Sequence, residues 1–233
     1  AVGAYTAWSY GDLFQDVTVG ILDNGFTSDH PDLAGNIVFL DGYTENSASD
    51  HGTGVAGIIG ALNNDVGVRG LASGSQNHVT LLCADWKPVT NNKESSEYTE
   101  YISTGEYLET IKQMVEQGAR VINNSWGFGF VPVWDDENWR WSTQEEQEYY
   151  LELRRKNTAL DCLMMMLQLL QNGEDVLIVQ SAGNYTGQAV TNGAFCSITP
   201  EVWDIAVNGN DWWGITYDDI SQRILIDGAV QKQ

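Results

Sequence analysis

Short runs of aliphatic and β-branched residues alternate with helical patterns along most of the chain. Nearly continuous apolar runs are typical of strands covered on both faces. Such runs occur at Val17–Leu22, Val79–Ala84, Val121–Asn124, Val176–Gln180 and Val202–Val207. Helical spacing of apolar residues predicts helices over Gly52–Leu62 and Gly105–Gln117. This alternation indicates βαβ units, so we predict an α/β fold with a mostly parallel central sheet.

A change of composition marks residues 128–172, whose first part is rich in tryptophan and acidic residues. Ser142 and Glu145 have the spacing of a capping box, which predicts a helix from there to about Gln171. We interpret 128–172 as an insertion that contains a long helix. The length suits one core, so 1–233 is predicted to form a single domain.

The composition excludes some classes of binding partner but does not identify one. Eleven basic residues against 32 acidic residues give a net charge of −21, which argues against nucleic acid and anionic membranes. No apolar run approaches the roughly 20 residues that a membrane span needs. The three cysteines are an odd number without a dense framework, so we predict free thiols rather than a disulfide scaffold.

Two polar residues at the ends of apolar segments indicate catalytic chemistry. Asp23 ends the first predicted strand, and His51 opens a helical segment rich in Gly and Ala. An aspartate in such a place can orient the ring and the tautomer of a histidine. Taken singly, each residue also has an ordinary structural role, as a turn residue or a helix cap.

Four segments, in the right order, resemble motifs of the subtilisin-like serine proteases, the subtilases. Residues 51–57 fit the histidine motif at every position, and residues 22–25 fit the aspartate motif except at Asn24, where Ser or Thr is usual. Residues 181–184 resemble the segment with the oxyanion asparagine, and residues 121–127 the strand that pairs with substrate. The resemblance implies a three-layer subtilisin-like fold and a serine endopeptidase with an Asp-His-Ser triad.

The resemblance also implies a role for each matched residue. Asp23 would orient His51, His51 would act as general base and acid, and the Asn184 amide would stabilise the oxyanion. An extended peptide or protein substrate would pair with main-chain groups and enter a pocket of small residues. The implied substrate-binding residues are Ser125, Trp126, Gly127, Ser181, Ala182 and Gly183.

A structural calcium site is a further implication of the resemblance. Pro31-Asp32-Leu33 and residues 62–68 are similar to the family's pair of segments that surround this cation. Calcium takes six to eight oxygen ligands. The implied ligands are the side chains of Asp32 and Asn64 and the carbonyls of Leu62, Val66 and Val68. Asp32 and Asn64 also have an alternative interpretation as ordinary turn residues.

The nucleophilic serine of the family is the element without a match. The family carries it in Gly-Thr-Ser-x-Ala after the oxyanion asparagine, and neither Ser197 nor Ser221 lies in such a motif. One interpretation is that the C-terminal part of the family fold is missing here and that a further segment supplies the serine. The alternative is a non-catalytic, subtilase-like peptide-binding or regulatory protein.

The presence of Asp23, His51 and Asn184 favours the first interpretation, because a non-catalytic protein has little reason to keep a buried charge partner for a histidine. We therefore expect a serine endopeptidase whose 233-residue chain is inactive by itself. A propeptide or a serine-bearing segment is an expected partner. The expected location is extracellular or in the cell envelope, with the cytoplasm left open.

Overall fold

The computed structural model of the protein describes residues 3–47, 49–74, 77–85, 104–127, 132–135, 138–141, 143–182 and 193–227. The chain divides into two compact units, Ala1–Asn123 and Asn124–Gln233, and each is described by itself. The expectation of a single domain stays a prediction. Within the part of the chain that the structure describes, no helix has both the length and the apolar character that crossing a bilayer requires.

The first unit is built on parallel strands. Its elements are α1 (Ala4–Trp8), a 3-10 turn (Gly11–Leu13), β1 (Val17–Asp23), β2 (Ile37–Phe39), α2 (His51–Gly60), β3 (Val79–Asp85), α3 (Thr104–Glu116) and β4 (Val121–Asn124). The strands lie in the order β2-β3-β1-β4, and each of these pairings is parallel. The predicted α/β fold with a mostly parallel sheet is confirmed, and the predicted strands and helices of this unit agree within two residues at each end.

Helices cover both faces of this sheet because side chains alternate along each strand. Val19 and Ile21 of β1 belong to a buried cluster that includes Ala56 of α2. The intervening Gly20 faces the opposite side, where α3 packs. A Cβ atom at Gly20 would lie 2.8 Å from the sulfur of Met114, which shows how closely α3 approaches the strand at this glycine. Helix, sheet and helix therefore form three layers in this unit.

The second unit joins a long helix to a parallel strand pair. Its elements after β4 are β5 (Pro132–Asp135), β6 (Asn138–Trp141), α4 (Gln144–Gln171), β7 (Leu177–Ser181), a 3-10 turn (Phe195–Ser197), α5 (Pro200–Val207), α6 (Tyr217–Ser221) and β8 (Ile224–Asp227). β5 and β6 pair antiparallel, whereas β7 and β8 pair parallel. α4 packs against α5, α6 and the second 3-10 turn.

The predicted strand at Val202–Val207 is wrong, because this segment is helix α5. The Thr199 side chain accepts a hydrogen bond from the Val202 amide, and Pro200 occupies the first turn of the helix. Both are helix-start signals that satisfy or remove otherwise unpaired N–H groups. The apolar run was too short for its periodicity to separate a helix from a strand.

The long helix of the 128–172 segment is confirmed, but its predicted start is displaced by one residue. The capping box consists of Thr143 and Glu146 rather than Ser142 and Glu145, and α4 then runs to Gln171. Ser142 lies outside the described residues. The side chain of Thr143 accepts from the Glu146 amide, and the Glu146 carboxylate accepts from the Thr143 amide. This reciprocal bonding satisfies two N–H groups at the helix start.

The three cysteines are free thiols, as predicted. Cys83 and Cys162 are buried, and burial raises the pKa of both thiols above the ordinary value. Cys196 is half-buried, and its sulfur lies 3.9 Å from the Ser181 carbonyl oxygen. The two buried thiols are therefore neutral and unreactive packing groups.

Candidate active site

Asp23 lies at the carboxyl end of β1, where its side chain is almost completely removed from solvent. The residue is 1% exposed, and its Oδ1 atom accepts a hydrogen bond of 2.6 Å from the Asn24 amide. Oδ2 is buried and has no hydrogen-bond partner among the described residues. Burial raises the pKa of the Asp23 carboxyl, and hydrogen bonds from Asn24 and His51 offset part of that effect.

His51 is the first residue of α2, and its ring contacts Asp23 directly. Nδ1 of His51 lies 2.5 Å from Oδ1 of Asp23, while the histidine side chain is 56% exposed. The other ring nitrogen, Nε2, makes no hydrogen bond to any described residue. A buried carboxylate on Nδ1 fixes the tautomer of the ring and leaves Nε2 to exchange a proton with a reacting group.

The turn after Asp23 positions the start of α2. The carbonyl of Asn24 accepts from the Gly52 amide at 2.9 Å, and the carbonyl of Gly25 accepts from the Thr53 amide at 3.0 Å. These bonds satisfy helix-start N–H groups that the Asp50 side chain leaves uncapped. Gly25 has φ of +80°, and a Cβ atom there would overlap the Ser49 carbonyl oxygen. Only glycine fits this position.

In the second unit, the predicted substrate-binding segments after β4 and at the end of β7 are joined by hydrogen bonds. The Ser181 hydroxyl donates to the Trp126 carbonyl at 3.2 Å. Gln180 Nε2 donates to the same carbonyl at 2.6 Å and to the Asn124 carbonyl at 3.2 Å. These bonds hold the backbone of the Ser125–Gly127 segment beside the end of β7.

The structure describes only part of the predicted pocket. Ser125, Trp126, Gly127, Ser181 and Ala182 are described, and the Ala182 amide donates to the Asp227 carbonyl at 2.7 Å. Gly183 and Asn184 lie outside the described residues, so their predicted roles stay predictions.

Hydrogen bonds join the two segments of the predicted cation site at Pro31 and Asp32. Asp32 is 2% exposed, and its Oδ2 accepts from the Val68 amide at 2.9 Å. The Leu62 amide donates to the Asp32 carbonyl at 2.7 Å. Asn64 holds the shape of its loop, since Oδ1 accepts from the Val66 amide at 3.1 Å and Nδ2 donates to the Pro31 carbonyl at 3.1 Å.

Asp32 Oδ1 suits a hard cation, because it is buried and has no hydrogen-bond partner among the described residues. The described residues contain no group of three or more His, Cys, Asp or Glu side chains arranged for a metal ion. The predicted set has one carboxylate, one amide and three carbonyls, which is a donor set that calcium accepts. Asp32 Oδ1 is thus the observed atom that fits a calcium ion, and the roles of the other four predicted ligands stay predictions.

Two polar residues near these segments were missed from the sequence. Asp85 ends β3 as Asp23 ends β1, and the two are register partners in the parallel pair. Gln180 is completely buried in β7. The available signals were that Asp85 follows the apolar run 79–84 and that Gln180 is an amide in the apolar run 176–180. Neither residue matched a motif.

Comparison with known proteins assigns the family. The subtilase family profile matches residues 15–219, which is most of the chain. The chain belongs to the subtilase family.

Individual relatives match over shorter stretches. A subtilisin of Bacillus pumilus is 44% identical over 71 residues, which are 29% of this chain and 26% of that protein. An extracellular serine protease of Serratia marcescens is 30% identical over 136 residues, which are 54% of this chain and 11% of that protein. The matches thus span about a quarter or less of these relatives. Among solved structures, the prenylagaramide maturation protease PagA superposes with a TM-score of 0.48 at 23% identity, covering 79% of this chain and 52% of that chain.

Proposed function

We propose that this chain is part of a subtilisin-type serine endopeptidase and supplies two members of its Asp-His-Ser triad. The observation that carries the proposal is the 2.5 Å contact between His51 Nδ1 and Asp23 Oδ1, made by a buried carboxyl and a half-exposed ring. Membership of the subtilase family supports the same reaction class.

In the proposed reaction, His51 Nε2 removes the proton of the serine hydroxyl as its oxygen bonds to the scissile carbonyl carbon. The C–N bond then breaks, and the imidazolium returns the proton to the leaving amine. Asp23 stays ionised throughout and stabilises the imidazolium through Nδ1–H. Water repeats the sequence on the acyl-enzyme and releases the acid product.

Substrate binding is proposed for the segments that Gln180 and Ser181 hold together. An extended peptide would pair with main-chain groups of Ser125, Trp126 and Gly127 as an added strand. Ser181, Ala182 and Gly183 would line the pocket for the residue before the scissile bond, and their small side chains leave room for a large one. The Asn184 amide would donate to the oxyanion, an interaction typically worth about 2.7–4 kcal/mol.

The sequence has no Gly-Thr-Ser-x-Ala motif, so we infer that these 233 residues do not hydrolyse peptides by themselves. A further segment that carries the serine, or a propeptide, is the proposed protein partner. We propose an extracellular or cell-envelope location, which agrees with the name of the Serratia marcescens relative.

The deciding experiment is to express the complete open reading frame that encodes these residues and to assay it with a chromogenic peptide. We expect hydrolysis, its loss in His51→Ala, and no hydrolysis by the 233 residues alone. A complete frame that binds peptides but never cleaves them would replace this proposal with the non-catalytic alternative. Circular dichroism of the variant separates lost chemistry from lost folding.

A structural calcium is proposed between Asp32 and the loop that contains Asn64, with the carbonyls of Leu62, Val66 and Val68 as further ligands. When bound, the cation supplies charge neutralisation for the buried Asp32 carboxylate and stabilises the fold. Support comes from the buried Oδ1 of Asp32, which has no hydrogen-bond partner among the described residues.

Thermal unfolding with calcium and with a chelator tests this site. We expect calcium to raise Tm by roughly 3 °C or more in the wild-type protein and to have no effect in Asp32→Asn. The control is Asp65→Asn, since Asp65 is an exposed acid of the same loop that is not a proposed ligand. An equal calcium response of Tm in both variants would show that Asp32 does not bind the cation.

A further inference from the structure

A second aspartate, Asp85, lies beside the Asp23–His51 pair. β1 and β3 are parallel, and Asp23 and Asp85 are register partners at their carboxyl ends. Register partners in a parallel pair point to the same face of the sheet, so the two carboxyls are neighbours. Asp85 is only 5% exposed, and acidic side chains are rarely buried unless they have bonding partners.

The Asp85 carboxyl is tied to the turn that follows Asp23. Its Oδ2 atom accepts a hydrogen bond of 2.8 Å from the Gly25 amide. The side chain of Asn46 also hydrogen-bonds to this carboxyl. Asn46 is itself held by a backbone bridge to Phe26, in which the Phe26 amide donates to the Asn46 carbonyl at 2.8 Å. Asp85 lies on β3, which carries neither Asp23 nor His51. Its carboxyl thus holds the Asn24–Gly25 turn in place from a neighbouring strand.

The same turn contacts both members of the pair. The Asn24 amide donates to Asp23 Oδ1, the oxygen that also contacts His51. The Asn24 and Gly25 carbonyls accept from the first amides of α2, directly after His51. An unbroken set of hydrogen bonds therefore leads from Asp85 through Gly25 to the helix start that carries the histidine.

We propose that Asp85 is a positioning residue for the Asp23–His51 pair, which holds the Asn24–Gly25 turn in place and adds a second negative charge beside Asp23. The family motifs identified in the sequence do not include this position. The inference deepens the proposed function, since it concerns the same site. Its test measures hydrogen bonding and titration rather than hydrolysis, so the two can fail separately.

The charge of Asp85 has a defined effect on its neighbours. Among the described residues, the titratable groups that interact with the Asp23 carboxyl are His51 from α2 and, from β3, Asp85 and Cys83. The Cys83 thiol stays neutral because burial raises its pKa. The negative charge of Asp85 raises the pKa of Asp23, in addition to the larger effect of burial. Removing that charge should therefore lower the pKa of Asp23.

The test is an NMR comparison of Asp85→Ala and Asp85→Asn in the full-length protein. One readout is the low-field Nδ1–H proton of His51, assigned with His51→Gln. The other is the titration of the Asp23 carboxyl carbon, assigned with Asp23→Asn. In Asp85→Ala the turn loses its acceptor, so we expect the Nδ1–H signal to be lost to solvent exchange. Asn retains an acceptor oxygen for the Gly25 amide, so Asp85→Asn should keep the signal.

Asp85→Asn should lower the Asp23 titration midpoint, because it removes the neighbouring charge and keeps the acceptor for the Gly25 amide. Asp16→Asn is the matched control, because it removes an exposed aspartate from the other end of β1 and should change neither readout. An Asp85→Ala protein with the wild-type Nδ1–H signal would overturn the proposal. If Asp85→Ala does not fold, an unchanged midpoint in Asp85→Asn overturns it equally.

Discussion

Among the described residues, the first unit contains two aspartate–histidine pairs, whose aspartates lie at opposite ends of β1. Asp16 and His78 directly precede β1 and β3, and their side chains are 2.9 Å apart. Asp23 lies at the other end of β1, 2.5 Å from His51. Asp16 has 92% of its side chain exposed, whereas Asp23 has 2% exposed. Both pairs join an aspartate to a histidine at hydrogen-bonding distance, and they differ most in the burial of the aspartate.

The difference shows that burial of the aspartate, rather than contact alone, distinguishes the proposed catalytic pair from the exposed pair. An exposed ion pair is screened by water and contributes little. A buried carboxylate keeps its charge only because donors are arranged around it, and that arrangement fixes the partner ring. The buried pair also lies at the carboxyl ends of parallel strands, where ligands bind in open α/β sheets.

The largest expected difference between the two pairs is in catalysis. Asp23→Asn in the full-length protein should lower kcat/KM by roughly 10⁴-fold, because the amide no longer stabilises the required tautomer and imidazolium. Asp16→Asn should leave kcat/KM unchanged. Steady-state hydrolysis of a chromogenic peptide measures kcat/KM for both variants. Equal losses would show that the buried pair has no special role in catalysis.

The next effect concerns the turn that belongs to the buried pair alone. Gly25→Ala should reduce the free energy of unfolding by at least about 3 kcal/mol, from the positive φ and the clash with the Ser49 carbonyl. Gly35 has a similar φ of +86°, but a Cβ atom there would have no neighbour within 4 Å, so Gly35→Ala should cost only about 1–2 kcal/mol. Urea unfolding compares them, and equal costs would show that the turn relaxes freely.

A smaller effect is the pH dependence of stability. The pKa of Asp23 is raised on folding, so the native state binds more protons than the unfolded state between the two pKa values. The stability of the wild type relative to Asp23→Asn should therefore fall as pH rises through this window. The change is about 1.4 kcal/mol for each unit of pKa increase. Urea unfolding from about pH 3 to 8 tests the sign, and a relative stability that rises with pH would contradict it.

The smallest expected effect is at the exposed pair. Asp16→Asn should change the free energy of unfolding by less than about 0.5 kcal/mol, as is typical of exposed ion pairs. The same urea titration at low and high salt checks this. A loss above about 1 kcal/mol would show that the strand starts depend on this contact.

Much of the first unit could be predicted from the sequence because its signals are strong. β1 and β3 are continuous apolar runs, and α3 has clear helical spacing. Asp23 and His51 could be named because each lies in a motif. Asp85 could not, since strand register depends on tertiary pairing that a single sequence does not display.

The second unit was harder to predict, because its signals are local and short. β8 spans four residues and forms by pairing with β7, and nothing in its own sequence requires that pairing. Thr199 and Pro200 decided the structure of α5 against its apolar composition. Gln180 Nε2 donates to the carbonyls of Asn124 and Trp126, which are distant in sequence, as well as to that of Ser181, so its position in an apolar run carried little information.

The free thiols give this protein a natural labelling position. Cys83 and Cys162 are buried, while Cys196 is partly accessible and has its sulfur 3.9 Å from the Ser181 carbonyl oxygen. A fluorescent maleimide should therefore attach at Cys196 before the other two. Because Ser181 also bonds to the Trp126 carbonyl, such a dye would test whether peptide occupies the proposed substrate-binding segments while Asp23 and His51 stay unmodified.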